Sequence, residues 1–129
     1  MTQSQESGAR ASRWGHETAR KIAEIIGAVS TSKNSNEYVF DNAHVVIKCA
    51  APKTDSVGVT YLMLKRISGV VGAFQLNPNT FDLWLLPAGV VKDAMRPTAS
   101  KGSAAGKVGI VRRDMFYQKG KYIKQIVLC

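Results

Sequence analysis

The alternation of hydrophobic and polar positions divides the chain into helical and strand segments. In residues 13–27 an apolar stripe recurs at helical spacing, which predicts a helix that ends at Gly27. Short runs of β-branched and aromatic residues around turn residues predict two hairpins. The predicted order is helix (13–27), hairpin (38–40 and 45–47), helix (60–68), hairpin (70–76 and 80–86), helix (88–95), loop (97–109) and a last strand pair (108–112 and 122–128). This order predicts an α/β or mixed α+β domain on a single central mixed β-sheet flanked by helices.

The first hairpin gathers charged side chains on one face. A two-residue turn at Asn42 and Ala43 places Glu37 opposite Lys48. Side chains on a strand alternate between its two faces. One face is therefore predicted to carry Glu37, Val39, Asp41, His44, Val46 and Lys48. The carboxylate of Glu37 and the ammonium group of Lys48 are expected to lie in contact on this partly apolar face.

The length and composition predict one globular domain. The chain has 129 residues, of which 45% are hydrophobic, and we expect a disordered tail over residues 1–12 and a single domain over 13–129. Its two cysteines and two histidines lack the spacing of a disulfide framework or a zinc site. No apolar run is long enough to span a bilayer, and the first residues lack the apolar core of a signal peptide. A cytoplasmic location is therefore expected.

The distribution of charge points to a polyanionic partner. The formal net charge is +9, and residues 92–129 carry nine basic and two acidic residues, whereas residues 1–91 carry nine and seven. A concentration of basic residues in the C-terminal third is expected if one part of the domain binds phosphates and another part binds a metal. A solvated basic segment that aids solubility is the alternative on composition alone.

Three side chains suit the hydrolysis of a phosphodiester. This reaction needs hard cations held by carboxylates, a water activated by the metal, and a positive group near the developing charge. Glu17 on the first helix, Glu37 and Lys48 are the candidates for these parts. No nucleophile elbow or dinucleotide-binding fingerprint is present in the sequence.

The chain resembles the PD-(D/E)XK superfamily of restriction-endonuclease-like phosphodiesterases over residues 13–76. The resemblance lies in the helix-then-hairpin order and in the Ile-Lys-Cys-Ala ending of the second strand. Members present an acidic residue on one strand and an acid-x-Lys on the next, and their first helix often contributes a glutamate. Glu37 matches the first acidic position and Lys48 the lysine, but Val46 stands where an acid is usual. Either Glu17 supplies the missing ligand or the site is inactive.

The resemblance implies a restriction-endonuclease-like core and a Mg²⁺- or Mn²⁺-dependent endonuclease that cleaves DNA, as a restriction or junction-resolving enzyme, commonly as a homodimer. In this interpretation Glu37, Lys48 and Glu17 are catalytic, and Glu17, Glu37 and Asp41 hold the metal. The predicted contacts to the DNA backbone are Lys101, Lys107, Arg112, Arg113, Lys119 and Lys121. The alternative is a non-catalytic basic module that binds nucleic acid or a partner and retains a decayed nuclease site.

Each candidate also has a purely structural interpretation. Glu37 and Lys48 are then a cross-strand ion pair, Glu17 pairs with Lys21 along the helix, and Asp41 initiates the turn. The aromatic residues are predicted to belong to the core or its edge rather than to a base-stacking platform: Trp14, Trp84, Phe116 and Tyr117.

Overall fold

The computed structural model describes residues 2–31, 36–97 and 107–128, with side chains from residue 13 onward. The helices are α1 (Thr2–Ile26), α2 (Tyr61–Leu64), α3 (Ala88–Ala94) and α4 (Arg113–Lys119). The strands are β1 (Val29–Ser30), β2 (Glu37–Phe40), β3 (Ala43–Ala50), β4 (Ser56–Thr60), β5 (Gly69–Asn77), β6 (Thr80–Pro87), β7 (Arg96–Pro97), β8 (Val108–Arg112) and β9 (Lys121–Val127). In the described part of the chain they form an α+β protein.

The strands form a large mixed sheet and a small antiparallel sheet. The large sheet has six strands in the order β1-β2-β3-β5-β6-β9, and the small sheet has three in the order β4-β8-β7. Strands β3 and β5 run parallel, and the crossover between them carries β4 and α2. The predicted mixed central sheet is confirmed, but the second sheet was not predicted.

Each face of the large sheet packs against its own hydrophobic core. Helix α1 buries Ala19 and Ile22 against one face, where they join Val45 and Ile47. The small sheet, α3 and α4 cover the other face, where the buried core is formed by Val46, Ala50, Val57, Val59, Ile67, Val70, Phe74, Leu86, Val91, Met95, Val111 and Phe116. A strand covered on both faces is apolar almost throughout, which is why residues 69–74 of β5 are all buried.

The first hairpin is confirmed, but its turn and register differ from the prediction. Asp41 and Asn42 both have positive φ, at 52° and 62°, and form the two-residue turn. A turn of this kind needs two left-handed residues, which Asp and Asn adopt more readily than Ala. Glu37 therefore pairs with Val46 and not with Lys48. The predicted sharing of faces survives, because the pairing moves by an even number of residues.

The short helix predicted over residues 60–68 is confirmed in part as α2 (Tyr61–Leu64), whereas β4 (Ser56–Thr60) lies before it, where a loop was predicted. Val57 and Val59 of β4 are buried in alternation, as expected for a strand with one covered face. The Thr60 hydroxyl accepts a hydrogen bond from the Met63 N–H at 3.1 Å, and this cap begins α2. The second hairpin and the helix after it are confirmed as β5, β6 and α3.

The last two predicted strands exist but do not pair with each other. Strand β8 lies between β4 and β7 in the small sheet, whereas β9 pairs with β6 in the large sheet. Helix α4 separates them, because Phe116 buries its ring edge-on against Phe74 with a centroid distance of 5.1 Å. A continuous hairpin across residues 108–128 leaves no place for this contact.

The first helix is longer than the sequence predicts. Helix α1 begins at Thr2, upstream of the predicted start at residue 13. The division into a tail and one domain stays a prediction.

Most of the predicted loop, residues 98–106, lies outside the described residues. None of the described helices combines the length and apolarity that crossing a bilayer requires.

Candidate functional site

Glu37, His44 and Arg66 form a compact group that we call the Glu37 centre. Glu37 opens β2 and is 7% exposed. Arg66 donates from Nη2 to Oε2 at 3.0 Å and from Nε to Oε1 at 3.3 Å. The Nε2 atom of His44 lies 3.2 Å from the same Oε1, outside hydrogen-bond geometry. The carboxylate is therefore engaged by a two-pronged guanidinium pair, the most specific of protein ion pairs.

Short backbone contacts bring Arg66 to this position. The Arg66 N–H donates to Met63 O at 2.9 Å as α2 ends, and the Ser68 N–H donates to His44 O at 2.6 Å, which ties the connection to β3. The hydrogen bond to Glu37 and the charge of its carboxylate raise the pKa of Arg66. Arg66 was not among the predicted site residues, and it comes from 29 residues further along the chain.

Val46 occupies the position where the resemblance expects an acid. It pairs directly with Glu37 across β2 and β3 and with Val70 across β3 and β5, and it is fully buried. The site next to Glu37 is therefore aliphatic and belongs to the core.

Lys48 follows on the same face of β3 and lines a small pocket. The pocket is formed by Gly15, His16, Asn36, Lys48, Cys49, Ser56, Val57 and Gly58. Burial lowers the pKa of Lys48. Within the described ranges, no carboxylate lies at ion-pair distance from its ammonium group. Burial also raises the pKa of the neighbouring Cys49 thiol to about 12, so this thiol is a weak nucleophile at neutral pH.

The structure does not bring Glu17 to Glu37. Helix α1 turns its apolar stripe toward the face of the sheet that carries Val45 and Ile47, and Glu17 is exposed on the opposite side of the helix. Glu37 belongs to the other face of the sheet, because it shares that face with Val46. The two carboxylates are thus separated by the sheet and the helix.

The predicted metal ligands do not assemble. Asp41 lies in the exposed turn at the tip of the first hairpin, where it fulfils the structural role of a turn residue. No three His, Cys, Asp or Glu side chains in residues 13–31, 36–97 and 107–128 are arranged to hold an ion. Hard divalent cations take several oxygen ligands, and Glu37 alone does not supply them. The donor set of Glu17, Glu37 and Asp41 therefore does not fit Mg²⁺ or Mn²⁺.

The predicted phosphate contacts are spread over the surface. Lys107 and Arg112 are exposed at opposite ends of β8, and Arg112 donates to Asp114 at 3.3 Å. Lys119 and Lys121 are exposed at the junction of α4 and β9. Lys101 lies outside the described residues.

Arg113 makes structural contacts, and its predicted contact with phosphate stays a prediction. Its guanidinium lies 4.8 Å from the centroid of the Phe74 ring and donates to the Tyr117 hydroxyl at 2.6 Å. The same group donates to three carbonyls of the loop after β3, those of Ala51, Pro52 and Thr54. Arg113 therefore fastens this loop to α4.

Three aromatic side chains from β6, α4 and β9 form what we call the aromatic row: Tyr117, Trp84 and Tyr122. The Trp84 centroid lies 5.2 Å from that of Tyr117 and 5.1 Å from that of Tyr122. Tyr117 is 42% exposed and Tyr122 is 46% exposed. Phe116 and Trp14 are core or partial-core residues, as predicted, but Tyr117 faces solvent.

Asp82 on β6 is the acidic neighbour of the row. Its Oδ1 accepts hydrogen bonds from Gln125 at 3.1 Å and from the Tyr122 hydroxyl at 3.4 Å. Desolvation, followed by the charge and hydrogen bond of Asp82, raises the pKa of Tyr122. Asp82 thereby orients the exposed end of the row.

No protein-family model matches this chain, and no curated protein matches it. The functional conclusion therefore depends on the geometry of these two regions.

Proposed function

We propose that this chain is a basic nucleic-acid-binding domain with a restriction-endonuclease-like core and without metal-dependent cleavage. The observation that carries the proposal is the engagement of Glu37 by Arg66, opposite a buried Val46. A divalent cation that binds here must displace the Arg66 guanidinium, and Glu37 is then the single carboxylate that coordinates it. This corresponds to the non-catalytic alternative raised by the sequence.

The order of elements supports the endonuclease-like core. Helix α1 is followed by the β2–β3 hairpin, and a crossover then leads to β5, which runs parallel to β3. The acidic position, the position two before the lysine, and Lys48 itself share one face of this sheet. The proposal is that the core has kept this framework and has replaced the ligand at 46 with an apolar side chain.

The charge of the chain supports binding to a polyanion. The net charge is +9, and Lys107, Lys119, Lys121 and Lys124 are exposed. Neutralising phosphates with lysines releases counterions, so the affinity falls steeply as the salt concentration rises. DNA is the proposed partner, and the homodimer implied by the resemblance stays a prediction.

A metal-dependent endonuclease is the second candidate. The observation that favours it is the position of Lys48, which shares a face of the sheet with Glu37 and lines a pocket. This candidate requires metal ligands beyond those that the described residues bring together.

A paired binding and cleavage assay tests the proposal. We expect the native protein to bind labelled DNA with an affinity that falls as salt rises, and to leave supercoiled plasmid intact with Mg²⁺ or Mn²⁺. Lys119→Glu is expected to weaken binding more than the matched reversal Lys21→Glu on α1, which packs against the opposite face of the sheet.

Two results contradict the proposal. Failure to bind any nucleic acid at low salt shows that the basic surface serves another purpose. Plasmid nicking that is lost in Glu37→Gln and Lys48→Met, with binding retained, establishes the endonuclease.

A further inference from the structure

We propose that the aromatic row and the neighbouring Arg113 bind single-stranded nucleic acid, whose unpaired bases stack on Tyr117 and Tyr122. This inference rests on the proposed function and names the form of nucleic acid and its place on the fold.

The rings of the row are held in fixed positions before any ligand binds. Trp84 lies between the two tyrosines, with interplanar angles of 69° to Tyr117 and 60° to Tyr122. Behind Tyr117, the Phe74 ring makes a further edge contact at 5.5 Å. Both hydroxyls are tied, that of Tyr117 to Arg113 and that of Tyr122 to Asp82. Little side-chain entropy remains to be lost when a base stacks on either ring.

The charges at the row differ between its two ends. Arg113 donates a hydrogen bond to the Tyr117 hydroxyl, and Asp82 accepts one from the Tyr122 hydroxyl. The lysines of β9 pair with leucines that belong to the opposite core, so their side chains point to the other face of the sheet. Arg113 therefore provides the positive charge beside the Tyr117 ring for a phosphate next to a stacked base.

The exposed rings distinguish single strands from duplexes. In a duplex the faces of the bases are already stacked on one another, whereas an unpaired base presents its face to an aromatic side chain. Stacking of this kind accepts every base, so it suits a surface without hydrogen-bond readout of sequence. Base stacking also gives a reason for two large rings at 42% and 46% exposure.

The test compares substitutions that remove a ring with substitutions that keep it. Tyr117→Leu and Tyr122→Leu remove the stacking face, whereas Tyr117→Phe and Tyr122→Phe retain it. The anisotropy of labelled oligo(dT), oligo(rU) and a duplex of equal length is followed for each folded variant. We expect each Leu variant to bind both single strands about 5- to 100-fold more weakly than the native protein. The Phe variants should stay within about twofold, and duplex affinity should be lower than single-strand affinity throughout.

The outcomes separate this inference from the proposed function. Native protein that binds nucleic acid in a salt-dependent way, with Leu variants that bind single strands equally well, overturns the inference and leaves the proposed function supported. This is also the result expected if the row serves a protein partner. Equal native affinity for duplex and single strands likewise overturns it. Native protein that binds no nucleic acid overturns both.

If a Leu variant fails to fold, a second measurement tests the inference. In a Trp14→Phe background, tryptophan emission reports on Trp84 alone, since the chain has two tryptophans. Quenching by unlabelled oligo(dT) or oligo(rU) supports the inference, and unchanged emission at saturating oligonucleotide overturns it.

Discussion

The Glu37 centre and the aromatic row lie on the same face of one sheet, but Glu37 is engaged by contacts within the protein, whereas two rings of the row are exposed to solvent. Glu37 lies on β2 toward one edge of the sheet, whereas Trp84 and Tyr122 pair with each other on β6 and β9 at the other edge. At one end the carboxylate of Glu37 is 7% exposed and joined to a guanidinium. At the other end the rings of Tyr117 and Tyr122 are more than two-fifths exposed.

The difference separates residues that maintain the fold from residues that are available to a ligand. A charge that is buried and paired inside the molecule has little left to offer, because separating the pair is costly. An exposed ring held by its neighbours keeps its face free for a second molecule. Glu37, the acid that matches the resemblance, is thus engaged, whereas the open row includes Tyr117, which the sequence predicts to belong to the core or its edge.

An acid at position 46 gives the largest expected effect. Val46→Asp places a carboxylate in a fully buried position beside Glu37, and we expect it to lower the free energy of unfolding by more than about 3 kcal/mol. Urea denaturation measures the loss. Val46→Ala is the matched control for the lost side-chain volume and should cost about 1–3 kcal/mol.

The opposite result at position 46 has a definite meaning. If Val46→Asp is as stable as the native protein and gains stability on addition of Mg²⁺, the Glu37 centre is a metal site that lacks one ligand. The division between an engaged centre and an open row is then incorrect.

The pair of Glu37 and Arg66 gives the next effect. Glu37→Gln removes a buried charge whose partner, Arg66, is half exposed, and we expect a loss of about 1–3 kcal/mol in the free energy of unfolding. Arg66→Gln is expected to destabilise as well, because it leaves Glu37 without its guanidinium. The double variant should lose less than the two single losses combined, since both report on the same contact. Strict additivity in chemical denaturation contradicts the assigned pair.

The sequence predicts the elements of the first hairpin and the sharing of its faces, because strand side chains alternate whatever the register. The register itself depends on the turn, and Asp41 with Asn42 is the better match to two left-handed residues. Turn chemistry alone therefore contains the signal that places Val46 opposite Glu37.

The partners within the site require the tertiary fold. Arg66 reaches Glu37 only because the chain crosses through β4 and α2 before returning in β5, and no local pattern specifies that path. Tyr117 meets Trp84 only because α4 packs on β6. One signal was present for the row: β9 has mostly exposed positions, and lysine and glutamine residues interrupt its apolar residues, which is typical of a strand with an open face.

Substitution of Lys48 gives the smallest expected effect and tests whether its ammonium group has a stabilising partner in its pocket. Burial lowers its pKa, so the folded state holds the proton less firmly than the unfolded state does. Below its folded pKa the charged form opposes folding, and stability rises as pH increases from the folded pKa toward the ordinary value of 10.5. Lys48→Met removes this cost, and we expect a modest rise in melting temperature at neutral pH that shrinks as pH approaches 10.5. Thermal unfolding followed by circular dichroism across this pH range measures the effect, with Lys21→Met as the exposed control. A fall in melting temperature for Lys48→Met contradicts this and indicates that the ammonium group has a stabilising partner in its pocket.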